Sequence, residues 1–213
     1  MQRVKVLAFL VLAAFLAFSC SKDSSNDSTP TGGNNTGNSS AGSLSTHTGK
    51  NIVVTQANVD SVSSVIISQT FLVFEKALET SFGGAAKPTV EIPISGNVNG
   101  LKSGKAVVSG KYTLSSDYNT TSYNFTCTFY DYSDDAVLYY GGAINYTGNT
   151  TSTTQVYNLT FKGGLSFNGA YQGTQDFTIT YIEDISKGSF SYQSTMTTTS
   201  GGKTFTTTSK YPL

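Results

Sequence analysis

The chain has 213 residues, with 13 Lys and Arg against 13 Asp and Glu, a charged fraction of 12%, 13 Tyr, one His, two Cys and no Trp. This composition argues against nucleic-acid binding, because affinity for phosphates depends on clustered Lys and Arg. The length allows one domain or a small pair, and abundant Gly with few Met favours short strands and turns over helices.

Residues 1–19 have the pattern of a signal peptide. Arg3 and Lys5 precede an apolar run over residues 6–18, and a small residue, Ser19, stands before Cys20. The run is too short to span a bilayer permanently. Its removal leaves 11 basic against 13 acidic residues.

The tetrapeptide Ala17-Phe18-Ser19-Cys20 resembles the lipobox of bacterial lipoproteins. The resemblance implies diacylglyceryl attachment to the sulfur of Cys20, cleavage before it, and acylation of the new amino terminus with a fatty acid such as palmitate. Two or more acyl chains make membrane anchoring stable without a spanning helix. The alternative is an ordinary signal peptide followed by an incidental Cys.

The residues after Cys20 bear on location. Ser21, rather than Asp, resembles a signal for the outer membrane, and Ser21-Lys22-Asp23 is similar to the export signals of surface lipoproteins in the Bacteroidota. The resemblance therefore implies a protein anchored in the outer membrane through Cys20, on its periplasmic or cell-surface side.

Residues 20–50 are predicted to be the lipidated Cys and a flexible tether. From position 21 to position 50, 22 of 30 residues are Ser, Thr, Asn or Gly, which cannot bury enough surface to offset ordering entropy. A coil of that length spans about 30 Å. His47 is expected to be a solvated linker residue, and a single domain is expected over 51–213.

The first predicted element of this domain is a helix near residues 57–80. Asn58 is a candidate N-cap, Gly83-Gly84 a candidate stop, and the apolar positions recur near helical spacing. These positions are Val59, Val62, Ile66, Val73, Ala77 and Leu78. Because 65–67 and 71–74 are β-prone, a strand in this region remains an alternative.

Alternation with period two follows, interrupted by Gly, Asn, Asp and Ser clusters. It predicts about eight strands, near 90–98, 105–115, 121–131, 136–147, 154–167, 171–182, 187–199 and 203–210. Short turns favour antiparallel neighbours. The predicted fold is mainly β (α+β): an antiparallel meander forming a curved sheet or half-barrel packed on the N-terminal helix. A sandwich is the alternative.

Few side chains suggest chemistry. Cys127 lies on the apolar side of an alternating strand, so a buried thiol is expected. Asp131, Asp134 and Asp135 cluster in one predicted turn, where Ca²⁺ binding is a minor alternative to turn formation. Glu183 and Asp184 are also interpreted as a turn. No catalytic residue, metal site or cofactor is predicted.

Tyrosines concentrate in the early strands, and Tyr118, Tyr130, Tyr132 and Tyr140 are the candidate surface-binding residues. Exposed Tyr stacks on sugars or forms anchor points in protein contacts. The alternative is that these rings form the rim of the sheet core.

Three functional hypotheses follow. The leading one is a non-enzymatic, lipid-anchored envelope protein whose β-rich domain binds or scaffolds a protein, glycan or lipid. The second is a carrier of lipid or another apolar ligand in a cavity between helix and sheet. The third, an enzyme acting on envelope polymers, lacks candidate catalytic groups.

Overall fold

The computed structural model describes residues 42–81, 91–116, 119–151 and 154–211. Within them lie one α-helix, α1 (Val59–Ser81), and nine strands. The strands are β1 (Ile52–Val53), β2 (Glu91–Asn99), β3 (Ser103–Leu114), β4 (Thr120–Ser133), β5 (Leu138–Thr151), β6 (Val156–Gly169), β7 (Tyr171–Asp184), β8 (Ser189–Ser200) and β9 (Lys203–Tyr211).

Strands β2 to β9 form one antiparallel meander, in which each strand pairs with its neighbour in sequence. β2 and β9 are its two edges, so the sheet is not closed. The short strand β1 joins in parallel and pairs Ile52 with Tyr171 at the start of β7. The predicted mainly β fold, with about eight antiparallel strands packed on one preceding helix, is confirmed.

Helix α1 begins at Val59, and its first turn is stabilised by a backbone hydrogen bond and an acidic side chain. The Val62 N–H donates to the carbonyl oxygen of Asn58, 3.0 Å away, and Asp60 places an acid in the first turn. Val59, Val62 and Ile66 are buried at helical spacing. The helix is long and apolar enough to cross a membrane by length and composition, and half of its most apolar window is buried inside the protein.

The helix packs against one face of the sheet through aromatic rings. The Phe74 ring lies 5.8 Å from Phe125, 5.4 Å from Tyr146 and 5.2 Å from Phe161, measured between centroids. The hydroxyl of the fully buried Tyr146 donates to the backbone oxygen of Thr70, 2.9 Å away. Each fully buried ring stabilises the fold by roughly 1.5–3 kcal/mol, so this cluster fixes the helix on the sheet.

Alternate turns of a meander fall at the same end of the sheet. The turns after β2, β4, β6 and β8 lie at one end, together with β1. Residues 42–53, which we name the strap, contact this end, and we call it the strap end. The turns after β3, β5 and β7 lie at the other end, which we call the tyrosine end.

Candidate functional site: the two ends of the sheet

The strap lies against the sheet through a series of hydrogen bonds. The Asp131 N–H donates to Ser43 O at 3.0 Å, and the Asn51 N–H donates to Gly169 O at 2.8 Å. The Asn168 side chain donates to Ser45 O at 2.7 Å. The ordered contacts therefore begin before Asn51, and residues 42–50 differ in this respect from the expected tether.

His47 is not a solvated linker residue, which corrects the sequence prediction. Its Nε2 atom lies 2.6 Å from Oδ1 of Asp131, and its ring stacks on Tyr139 with centroids 3.5 Å apart. The Ser45 N–H donates to the same Asp131 oxygen at 3.1 Å. The strap is thus held by a side-chain hydrogen bond, a stacked ring and backbone hydrogen bonds.

Asp131 occupies a β-bulge near the end of β4. The β4–β5 register shifts between Phe129 and Tyr132, and Asp131 has a φ of 55°. One extra residue reverses the alternation beyond it, so Tyr132 points into the core and is fully buried. Its prediction as a surface-binding residue is wrong for this reason.

The other candidate tyrosines divide between the two faces. Tyr140 is buried at 1% exposure because it shares its face with Ile144 and Tyr146, so its surface assignment is also wrong. Tyr130 is 39% exposed, as predicted. Tyr118 and Cys20 lie outside the described residues, and their predicted roles stay predictions.

A polar cluster joins the helix to the strap end. Lys76 Nζ lies 2.8 Å from Oδ2 of Asp134 and donates to the Tyr132 hydroxyl at 3.2 Å, while that hydroxyl donates to Asp134 at 2.9 Å. Burial raises the pKa of Asp134, but hydrogen bonds from Lys76, the Leu101 N–H and Tyr132 outweigh it and hold the pKa below its ordinary value. The cluster is a structural bridge.

The three aspartates near the β4–β5 turn serve different partners. Asp131 binds the strap and Asp134 binds Lys76, whereas Asp135 accepts hydrogen bonds from the Val137 and Leu138 N–H groups at 2.7 and 3.1 Å. The last arrangement is a side-chain-stabilised turn. Across the described ranges, no group of three or more His, Cys, Asp or Glu is placed to hold a metal ion.

Cys127 is buried in the core, as the alternation predicted. Burial raises the pKa of its thiol to about 12. A thiol in this environment stays protonated near neutral pH and is a poor nucleophile.

The tyrosine end contains a row of rings that sequence reasoning missed. Cross-strand pairing aligns Tyr112 with Tyr123, and Tyr181 with Tyr192, and the row continues between them through Gly148 and Leu159. The helix contributes Phe74, whose ring centroid lies 6.2 Å from that of Tyr123. Its members follow the same alternation on six strands, and only the strand register shows that they are aligned.

Two carboxyl groups, one of them at this end, have pKa values raised by burial. The Tyr181 hydroxyl donates to Glu183 at 2.8 Å, and burial raises the pKa of Glu183 although this bond opposes the shift. Burial, assisted by the charge of Glu79, raises the pKa of Glu75 to about 7. Glu183 was interpreted as a turn residue, but it is 6% exposed at the end of β7.

No family model, no curated protein and no solved structure matches this chain.

Proposed function

We propose that this chain is a lipid-anchored bacterial envelope protein of the outer membrane, with a non-enzymatic β-rich domain that binds or scaffolds a partner. The main support for this proposal is the lipobox-like sequence Ala17-Phe18-Ser19-Cys20. The strap provides further support from the structure. The strap follows Cys20 after 21 further residues and is bound to one end of the sheet by His47 and its neighbours. An acylated Cys20 therefore tethers the domain by a defined end.

Two positive features support a non-enzymatic domain. The chain's single His is engaged with Asp131 and stacked on Tyr139, in a position that braces the strap. The Cys127 thiol is buried with a pKa of about 12, far from the activated thiolate that catalysis requires. The His47 imidazole and the Cys127 thiol thus have structural roles.

The packing favours a binding or scaffolding domain over the carrier alternative. Rings from α1 contact rings of β4, β5 and β6 at centroid distances of 4.6–5.8 Å, as close-packed aromatic pairs do. Protein side chains fill this part of the helix–sheet interface, where a carried acyl chain would have to lie. Native mass spectrometry with lipid extraction tests this: an acyl species at fixed stoichiometry would restore the carrier hypothesis.

The anchor is tested by metabolic labelling with a palmitate analogue. The chain contains two cysteines, so Cys127→Ser is a matched control that leaves the acylation site intact. We expect wild type and Cys127→Ser to be labelled and to fractionate with the outer membrane, and Cys20→Ser to lose both properties. Equal labelling of Cys20→Ser would refute the lipoprotein proposal.

A further inference from the structure

Exposed apolar side chains collect at the strap end. The Leu101 side chain in the β2–β3 turn is 76% exposed, Val137 after β4 is 50% exposed, and Ile52 and Val53 of the strap are 43% and 38% exposed. Tyr130, near the same end of β4, is 39% exposed. These are five of the seven large apolar side chains that are exposed in the described part of the chain. Their concentration at one end of the sheet makes that end the candidate interaction surface.

Four exposed lysines lie at the same end of the sheet. Lys50, Lys102, Lys105 and Lys203 are exposed at this end, and none of them forms an ion pair with another described residue. Two of the neighbouring acids are engaged: Asp134 forms an ion pair with Lys76, and Asp131 is hydrogen-bonded to His47. Asp60 and Asp135 are the acidic residues near this end that are exposed and form no ion pair with a described residue. The strap end is therefore basic as well as apolar.

We infer that the strap end docks on an anionic lipid surface, an inference that rests on the proposed lipid anchor. Exposed Leu and Val enter the boundary between headgroups and acyl chains, and Tyr favours the same depth. Lysines bind the anionic headgroups, and each one strengthens the association roughly fivefold. The combination of apolar tips and surrounding cations fits a bilayer better than a uniformly apolar partner.

The described chain begins at the same end. Gly42, the first described residue, lies at the strap end, where a Cβ atom in its place would meet the backbone of Phe129. The 21 residues between Cys20 and Gly42 are predicted as coil, and such a coil spans about 25 Å. A 14-residue strand is about 45 Å long, so the tether reaches the strap end far more readily than the tyrosine end.

The opposite end is unsuited to an anionic surface. It carries Glu91 at the start of β2, together with Glu183 and Asp184 at the end of β7. Its lysines Lys187 and Lys111 form ion pairs with Asp184 and Glu91, and Lys210 is the one exposed lysine of this end without an ion pair among the described residues, against four at the strap end. Charge thus favours one orientation, with the strap end toward the lipid and the tyrosine end away from it.

A unique tryptophan at each end tests the orientation, because the chain has none of its own. Leu101→Trp reports on the strap end, and Ile185→Trp, at a 40% exposed site beside the β7–β8 turn, is the matched control. Each full chain is expressed in bacteria and reconstituted through its acylated Cys20 into vesicles of phosphatidylglycerol containing brominated phosphatidylcholine. Quenching of tryptophan fluorescence by bromine then reports contact with the bilayer.

We expect Leu101→Trp to be quenched at least twofold more than Ile185→Trp, and the difference to shrink in vesicles of phosphatidylcholine alone. Lys102→Gln with Lys203→Gln should lower the ratio of docked to undocked protein roughly 25-fold. Equal quenching at the two positions overturns the inference. A blue shift of Leu101→Trp that depends on protein density, without quenching, also overturns it and assigns this end to contacts between copies.

This experiment distinguishes failure of the lipid-anchor proposal from failure of the docking inference. Mass spectrometry of the reconstituted protein first shows whether Cys20 carries acyl chains. If it does not, the lipoprotein proposal is overturned, and the same chains are tethered by coupling the Cys20 thiol to a maleimide-headgroup lipid. Quenching is then compared between Leu101→Trp and Ile185→Trp as before. Stronger quenching of Leu101→Trp supports the docking inference, and equal quenching overturns it.

Discussion

The imidazole of His47 stacks on the ring of Tyr139 with 3.5 Å between their centroids and 4° between their planes. The same imidazole contacts Asp131 through Nε2 at 2.6 Å. One side chain of the strap therefore joins two strands, β4 and β5, and is less exposed than a linker residue would be. This contact is the most direct target for testing how firmly the strap is held.

We expect His47→Ala to loosen the strap without unfolding the sheet. The His47–Asp131 hydrogen bond and the ring stack are partly exposed, so their loss costs about 1 kcal/mol. The readout is amide hydrogen exchange at Asp131 and Asn51, whose N–H groups bond Ser43 and Gly169. Thr48→Ala, at an exposed position of the strap, is the control and should leave exchange unchanged. Unaltered protection in His47→Ala would contradict the assigned role.

Two buried tyrosines provide a matched test of hydrogen bonding in the core. The Tyr146 hydroxyl donates to Thr70 O, whereas the Tyr140 hydroxyl is buried without a hydrogen-bond partner among the described residues. Tyr146→Phe should lower the free energy of unfolding by about 1–2 kcal/mol, because Thr70 loses its partner. Tyr140→Phe should change it by less than about 0.5 kcal/mol or stabilise the fold. Chemical denaturation measures both, and a larger loss in Tyr140→Phe would be evidence against this packing.

The Lys76–Asp134 pair should contribute measurably to stability. Asp134→Asn is expected to lower the free energy of unfolding by about 2 kcal/mol at pH 7, because the Asp134 side chain is 9% exposed and an amide has no charge to pair with Lys76 and only one oxygen where the carboxylate offers two. Asp184→Asn, in the exposed pair with Lys187, is the control and should have no measurable effect.

The same pair predicts a dependence on pH. The folded-state pKa of Asp134 is below its ordinary value, so its contribution is present above the unfolded pKa and is lost as pH falls through the folded one. The stability difference between wild type and Asp134→Asn should therefore shrink on acidification below about pH 4. A difference that stays constant to pH 2 would argue that Asp134 acts through packing alone.

Glu75 should act in the opposite direction. Burial and the charge of Glu79 raise its pKa to about 7 in the folded state, so the folded protein binds the proton more tightly than the unfolded chain. Stability should fall as pH rises from about 4.5 to 7 and level off above, with a loss of about 1–2 kcal/mol after allowance for partial exposure.

Glu75→Gln removes this titration. We expect it to be more stable than wild type above pH 7 and to flatten the pH profile of thermal unfolding between pH 4.5 and 7. Glu79→Gln relieves only the smaller, charge-related contribution, so it should give a weaker version of the same change. An unchanged profile in Glu75→Gln would assign the pH dependence to other groups.

Much of the fold follows from local patterns. The spacing of Val59, Val62 and Ile66 predicted α1, and the alternation of Phe125, Cys127 and Phe129 predicted the buried face of β4. Both patterns arise because one side of a helix or strand is buried, and the spacing of apolar residues along the sequence shows which side that is. The meander also followed, because the turns were short enough to require antiparallel neighbours.

The parts that were missed depend on distant partners. The bulge at Asp131 adds one residue without disturbing composition, so alternation alone put Tyr132 on the wrong face. The strap looks like coil because its side chains are small and polar, yet His47 finds Asp131 at a distance of 84 positions along the chain. The tyrosine row requires the register of six strands at once. Such features become visible only when strand pairing is known.

The parallel pairing of β1 with β7 has a consequence for folding. Every other strand pair joins sequence neighbours, so the meander can assemble hairpin by hairpin with little loss of chain entropy. The pair Ile52–Tyr171 instead closes a loop of more than one hundred residues, and it has only two residues with which to do so. The strap is therefore expected to be secured last and to open first. A chain held at the membrane by this segment would yield there, under a pulling force, before its sheet is disrupted.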